Sequence, residues 1–388
     1  MLIKNMIKKT LKFLYGILRK LALLIPVGNT ILFEASYDYG GNAGAVYRYL
    51  KENGYAKKYK LVWTTDNYHS FVKDGYCYVI PYLGHGIKNL YYENRAKYIF
   101  YDNRPPIAKL KKNVHSVYLT HGCPPLKNCR EKINAGRMST EALCPSRNLV
   151  ELVSEQYNID KERLFLSGLP RNDIFFSEPK TKEIKKLTSR QYKKTIIWMP
   201  TFRKFKSKEK DIDRNDSEKE YFLGLPTIEN KCQLDNLNTT LKELNFLLII
   251  KFHFGALTEN FSDLKYSNII LADQEAIHSH NIELYSLLNE TDALISDYSS
   301  VTFDYLIKNK PIGYIIDDIN EYKLGFAFDK VTDYMAGELI HSYNELKEFI
   351  ENLTNDDKYT QKRKQILDFV NEFQNEDNAK RITEMFIK

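Results

Sequence analysis

Ser296-Asp297-Tyr298-Ser299-Ser300-Val301-Thr302-Phe303-Asp304-Tyr305 follows directly on the apolar run Ala293-Leu294-Ile295. A buried strand running into a hydroxyl-rich turn that opens a helix aims backbone N–H groups and Ser/Thr hydroxyls at one spot, which suits a phosphate. On this reading Ser299, Ser300 and Thr302 cradle a diphosphate. Asp297 is the awkward member, because a carboxylate repels a phosphate; a ligand hydroxyl or the helix N-terminus is its expected partner.

Two histidines stand at the ends of expected strands. His121 follows Ser116 to Thr120, and His253 follows Phe246 to Lys251 within Lys251-Phe252-His253. The carboxyl edge of a parallel sheet is where α/β proteins build their sites. A lone histidine there is most often a satisfied turn residue, but two of them, from separate domains beside a hydroxyl turn, favour a shared cleft and acid–base chemistry. Trp198-Met199-Pro200-Thr201-Phe202-Arg203 ends another strand with a hydroxyl and a guanidinium. Arg203 can grip a phosphate through fixed, forked donors, where a lysine is a looser point charge; the plainer alternative is a surface arginine opening a charged loop.

These residues need elements to hold them. Strand patterns occur at Asn29 to Phe33, Lys60 to Thr64, Tyr76 to Ile80, Tyr98 to Tyr101 and Ser116 to Thr120. Between the first two, Gly40-Gly41-Asn42 turns into a helix over Ala43 to Asn53. The rhythm restarts at Thr195 to Met199, then Phe246 to Lys251, Asn268 to Leu271, Ala293 to Ser296 and Pro311 to Ile316. Alternating strands and helices predict parallel α/β layering, and two successive runs predict two Rossmann-like domains facing across a cleft. The boundary is placed near Leu169-Pro170-Arg171-Asn172-Asp173, which divides the chain into 1–28, 29–175 and 176–388. Residues 204–221 carry twelve charged side chains without apolar periodicity and read as an exposed loop. Asn344 to Asn352 and Lys358 to Phe386 read as helical.

The formal charge of +7 over 388 residues is local: Lys4, Lys8, Lys9, Lys12, Arg19 and Lys20 occur within the first twenty residues without an acid. Setting those six aside leaves 51 basic against 50 acidic residues, so no nucleic-acid partner is implied. Ile3, Ile7, Leu11, Leu14, Leu18, Leu21 and Ile25 make an apolar stripe at helical spacing, the pattern of an amphipathic helix lying on an anionic membrane surface through residues 1–25. The longest apolar run, Leu21 to Val27, is far short of the roughly 18–20 residues of a spanning helix. A signal peptide and a helix packed on the body are the alternatives. Five cysteines at unpatterned spacings predict reduced thiols. No metal set is read, no cofactor is implied, and magnesium is compatible with the chemistry without being required by it.

Taken in order, Thr120-His121-Gly122 through Lys127, Gly168 through Asp173, Trp198 through Arg203, Lys251-Phe252-His253, Ser296 through Asp304 and Asp317 through Gly325 resemble the motifs of the CDP-glycerol glycerophosphotransferase family, the teichoic acid enzymes of bacterial cell walls. The resemblance runs over about residues 30 to 375. It implies a GT-B-like pair of Rossmann-type domains and peripheral attachment to the cytoplasmic face of the membrane. The implied reaction transfers glycerol phosphate, or ribitol phosphate in relatives, from a CDP-activated donor to a hydroxyl of a lipid-linked glycan, with release of CMP. By motif, His121 corresponds to the catalytic base and His253 to the histidine that assists at the donor diphosphate. Arg203, Thr201, Asp297, Ser299, Ser300 and Thr302 fall in donor-binding motifs, and Lys127, Arg171 and Asn172 are assigned acceptor or phosphate contacts. Thr120, Phe254 and Cys123 depart from the family's common residues. A GT-B glycosyltransferase using a nucleotide sugar is the nearer alternative, and a non-catalytic nucleotide-sensing scaffold the more distant one. The sequence leaves open glycerol or ribitol donor, one unit or many, and oligomeric state.

Overall fold

The computed structural model describes residues 15–35, 39–69, 71–84, 86–179, 181–201, 221–252, 261 and 263–388. His253, Arg203, residues 1–14 of the apolar stripe and residues 204–220 of the charged loop lie outside the described residues. Contacts divide the chain into two units: Met1–Cys123 with Arg130–Asp173 and Asn375–Lys388, and Pro124–Cys129 with Ile174–Gln374.

The first unit is built on a seven-stranded parallel sheet: β1 (Thr30–Glu34), β2 (Lys60–Thr65), β3 (Tyr78–Pro81), β4 (Ala96–Tyr101), β5 (His115–Tyr118), β6 (Glu141–Cys144) and β7 (Leu164–Leu166), in the order β3-β2-β1-β4-β5-β6-β7. Central strands covered on both faces read as apolar runs, and Ile31, Leu32 and Phe33 are fully buried. Phe33 stacks between Trp63 and Phe100 at ring separations of 5.8 and 6.1 Å, tying three strands into one core. The helix Gly41–Glu52 covers this sheet and receives the last helix, Asn378–Phe386.

The sequence places residues 375–388 with the second domain, yet their contacts are with the first unit. Asp173 explains the return: its carboxylate accepts from the backbone N–H groups of Asn378 (3.1 Å) and Ala379 (2.9 Å), so it caps that helix. Phe386 then meets Phe165 edge-on at 5.0 Å. The helical reading of Lys358 to Phe386 resolves into two helices, Thr360–Val370 and Asn378–Phe386.

The second unit holds β8 (Lys194–Met199), β9 (Phe246–Lys251), β10 (Ile269–Ala272), β11 (Ala293–Ser296), β12 (Ile312–Ile315) and β13 (Glu338–Ile340), parallel throughout in the order β10-β9-β8-β11-β12-β13. All of β9 is buried. Its core joins Ile196, Trp198, Leu248, Ile250 and Ile295 of the sheet to Leu234, Leu237 and Leu241 of the helix Lys231–Leu244. In both sheets the order runs outward from the first strand and then reverses, which opens a crevice at the carboxyl ends of β1 and β4 in one unit and of β8 and β11 in the other.

Residues 15–22 are helical, with Ile17, Leu18, Leu21 and, beyond the helix end, Leu24 exposed. No helix among the described residues is long and apolar enough to cross a membrane. None of the five cysteines is paired in a disulfide.

Candidate active site

In the first unit the crevice is closed by the protein's own acids. Asp102, one residue past β4, accepts from the backbone N–H groups of Asn42 (2.8 Å) and Ala43 (3.0 Å) at the start of the helix Gly41–Glu52. A carboxylate therefore occupies the place at which a ligand phosphate would meet this helix N-terminus. Gly41 makes the approach possible: its φ is +65°, and a Cβ there would lie 2.0 Å from Asp102 Oδ2. Glu34, at the end of β1, accepts from the N–H groups of Asn103 (3.1 Å) and Arg104 (3.0 Å). Burial pushes the Asp102 carboxyl up, with the Glu34 charge adding to it and Arg171 opposing. Burial likewise raises Glu34.

His121 stands on the turn after β5, next to this closed crevice, and is exposed. The backbone around it is held from several sides. Asn42 Nδ2 donates to the carbonyls of Leu119 (3.0 Å) and Thr120 (2.7 Å), and Arg171 Nη1 donates to the His121 carbonyl at 2.5 Å. Tyr157 Oη donates to the Gly122 carbonyl at 2.7 Å, while the Gly122 N–H donates to Thr120 Oγ1 at 3.0 Å. Thr120 takes φ +60°, a conformation costly for a β-branched residue and sustained only by such surroundings. An exposed histidine on a turn held by so many hydrogen bonds is suited to proton transfer at a fixed place.

Arg171 and Asn172 are expected from sequence to contact acceptor or phosphate. Both are buried, and Arg171 supports the His121 turn from beneath. Asn42 and Asp102 join this arrangement without a sequence signal of their own; Gly40-Gly41-Asn42 marks a turn, but nothing local ties it to residue 120 or 171.

In the second unit the crevice between β8 and β11 is bridged rather than filled. The Thr201 N–H donates to both oxygens of Asp297 (3.1 and 3.0 Å), and Thr201 Oγ1 donates to Asp297 Oδ1 at 2.5 Å. Asp297 thus holds Thr201, two residues past the end of β8, a contact different from the ligand hydroxyl or helix cap expected for it. Lys127 Nζ lies 3.3 Å from Thr201 Oγ1, which brings a cation beside that carboxylate. Its segment, Pro124–Cys129, is fixed to the loop after β12: Lys127 bridges Phe326, Asn128 N–H donates to the Gly325 carbonyl (3.1 Å) and Ala327 N–H to the Leu126 carbonyl (2.9 Å).

Ser299 and Ser300 are half-buried ahead of the helix Val301–Tyr305, whose N-terminus has no side-chain cap. Thr302 differs from the expectation of a cradle residue: it is fully buried and its hydroxyl donates to the Ser299 carbonyl at 2.9 Å, shaping the turn from inside. Two residues before His253, Lys251 is 3% exposed with Nζ 3.4 Å from Gln274 Oε1. Burial pulls its ammonium down to about 8, against the pull of Asp273. Among the described residues no group of three or more His, Cys, Asp or Glu is arranged to hold a metal ion.

Two parallel sheets of Rossmann order, one presenting a histidine and the other a hydroxyl turn with a lysine, define a transferase of the GT-B-like class. The chain belongs to the CDP-glycerol:poly(glycerophosphate) glycerophosphotransferase family, whose profile matches residues 17–388. It is 26% identical over 345 residues to the teichoic acid poly(glycerol phosphate) polymerase of Bacillus spizizenii, covering 81% of this chain and 82% of the relative. The teichoic acid poly(glycerol phosphate) polymerase of Bacillus subtilis is 26% identical over 385 residues, and this chain spans about half of its length, 47%. The teichoic acid glycerol-phosphate primase of Bacillus subtilis is 26% identical over 310 residues, 74% of each chain. Among solved structures, the wall teichoic acid polymerase TagF superposes with a TM-score of 0.74 at 23% identity, covering 98% of this chain and 97% of that one. A TagF variant soaked with CDPG gives 0.75 at 20% identity, covering 99% and 95%. These likenesses show the fold.

Proposed function

We propose that this chain transfers an alditol phosphate from a CDP-activated donor, CDP-glycerol or CDP-ribitol, to a hydroxyl of a lipid-linked teichoic acid or related cell-surface glycan. The observation that carries the reading is the exposed His121 on a turn whose carbonyls at 119, 120, 121 and 122 are each held by a side chain, in a member of this family. The acceptor oxygen attacks the alditol-bearing phosphorus and its proton passes to the His121 imidazole. The bond from that phosphorus to the bridging oxygen breaks, and CMP leaves with the electron pair. Fixed donors along the diphosphate stabilise the charge that builds on the leaving group. Lys127, Ser299 and Ser300 are the described residues assigned to this task, and Arg203 and His253 carry the same assignment from their motifs.

Peripheral attachment to the cytoplasmic face of the membrane fits the exposed Ile17, Leu18, Leu21 and Leu24 beside Arg19 and Lys20. Flotation with vesicles containing anionic lipid tests it: a chain that stays at the bottom of the gradient with and without anionic lipid would refute the attachment.

The reaction is tested by incubating the protein and a lipid-linked acceptor with CDP-glycerol, CDP-ribitol and a panel of nucleotide sugars. The expected result is CMP release with a phosphodiester-linked product. Turnover of a nucleotide sugar to a glycoside, with both CDP-alditols inert, would overturn the reading.

A further inference from the structure

We propose that Asn42 is a positioning residue for the reaction, acting through the turn that carries His121. The inference rests on the reading of His121 as the base. Asn42 is fully buried at the start of the helix Gly41–Glu52, and its amide group meets two other segments of the first unit. Its Nδ2 donates to the carbonyls of Leu119 and Thr120, and its Oδ1 accepts the backbone N–H of Arg171 at 3.1 Å. Its own backbone N–H is held by Asp102. One side chain thus links the helix start, the peptide before His121 and the residue whose guanidinium holds the His121 carbonyl.

The chemistry of the amide is specific to this task. Two carbonyls need a donor with two N–H bonds, and the Arg171 N–H needs an acceptor on the same planar group; among side chains of this length only asparagine supplies both. Thr120 makes the clamp necessary. At φ +60° a threonine is held against its own preference, so without the bond to its carbonyl the peptide can relax to negative φ. That relaxation rotates the plane joining residues 120 and 121 and displaces the imidazole from the place at which it takes the proton. Small displacements of a catalytic group cost large factors in rate while leaving a separately bound donor untouched.

Asn42→Asp keeps the volume and the acceptor for the Arg171 N–H and replaces the two-bond donor. In the folded variant the expected result is a fall in kcat of about tenfold or more, with the donor KM changed by less than about twofold. Hydrogen exchange should quicken at the Gly122 N–H and stay at the parental rate in β1, β4 and the helix Gly41–Glu52. The decisive comparison repeats the substitution in a His121→Ala chain. A positioning residue that works through the imidazole causes little further loss there, whereas a residue that merely keeps the unit folded lowers both chains by the same factor. Parental kcat in Asn42→Asp, or equal factors in the two backgrounds, overturns the inference. Should Asn42→Asp not fold, Asn42→Ser is put through the same cycle: a loss confined to the His121 chain supports the clamp, and equal losses overturn it. If His121→Ala alone turns over at the parental rate, the base assignment fails first, and the positioning inference falls with it.

Discussion

Where the first sheet reverses its strand order, Asp102 and Glu34 lie buried and take up the backbone N–H groups of the helix start and of the loop after β4. At the corresponding place in the second sheet, Thr201 and Asp297 bond across the reversal, and Lys127 and two half-buried serines stand beside them. Both crevices descend from one architecture, but the first holds two buried carboxyl groups that take up backbone N–H groups, and the second sets its one buried carboxyl, Asp297, against a hydroxyl with a lysine beside it. A strand order therefore tells where a site can be built; an aspartate follows β4 and β11 alike, and what differs is its partner, the N–H groups of a helix start for Asp102 and Thr201 for Asp297.

The comparison is broken most severely by His121→Ala. General acid–base catalysis contributes about 10²–10⁴-fold, so kcat for CMP release should fall by that order with the donor KM little changed. An unaltered kcat would deny the first unit its chemical part.

Opposite pH responses sharpen the contrast. Burial raises Asp173 to about 6 in the first unit, although Ala379 and Asn378 donate to it. The folded chain keeps that proton up to about pH 6, while the unfolded chain releases it near 4, so stability falls by about 3 kcal/mol as pH rises between those values. Lys251 in the second unit has the reverse sign. Its folded form loses a proton near 8 and its unfolded form near 10.4, so stability rises by about 3 kcal/mol across that window. Urea titrations of Asp173→Asn and Lys251→Met against pH check this, and each substitution should flatten its own window.

Lys127→Ala follows in size. Losing a charged donor to the diphosphate costs about 1.5–3 kcal/mol, so donor KM should rise roughly tenfold or more with kcat less affected. An unchanged KM would place Lys127 with the loop's internal structure. The smallest effect is expected for Ser300→Ala, a neutral donor worth about 1 kcal/mol and about a fivefold rise in donor KM.

The doubly wound character is readable because buried parallel strands are apolar throughout, as in Ile31-Leu32-Phe33 and Phe246 to Lys251. β6, β7 and β13 escape a sequence reading for the opposite reason: each is three or four residues long, and β6 and β13 begin on Glu141 and Glu338. His121 can be found because its place depends on the strand just before it. The Asn42 clamp cannot, since it closes over 78 residues, and neither partner carries a local sign of the other. Arg171 shows the same limit in reverse: a guanidinium in the polar run after Pro170 suggests a phosphate, but burial under a carbonyl is a tertiary fact. Thr302 differs from the expected cradle by one helical step, because its hydroxyl turns back on the Ser299 carbonyl.

Asp173 and the helix it caps give the molecule an uneven anatomy. The second unit is inserted between residues 173 and 375 of the first, apart from Pro124–Cys129, so the first cannot be obtained as an unbroken stretch of polypeptide. Shortening the chain by its last fourteen residues would strip the support from Phe165 and leave Asp173 without the N–H groups it caps, harming the half that bears His121 although the cut lies farthest from it in sequence. An affinity tag or fluorescent reporter joined after Lys388 would accordingly register the folding of residues 30 to 170 and say little about the second unit.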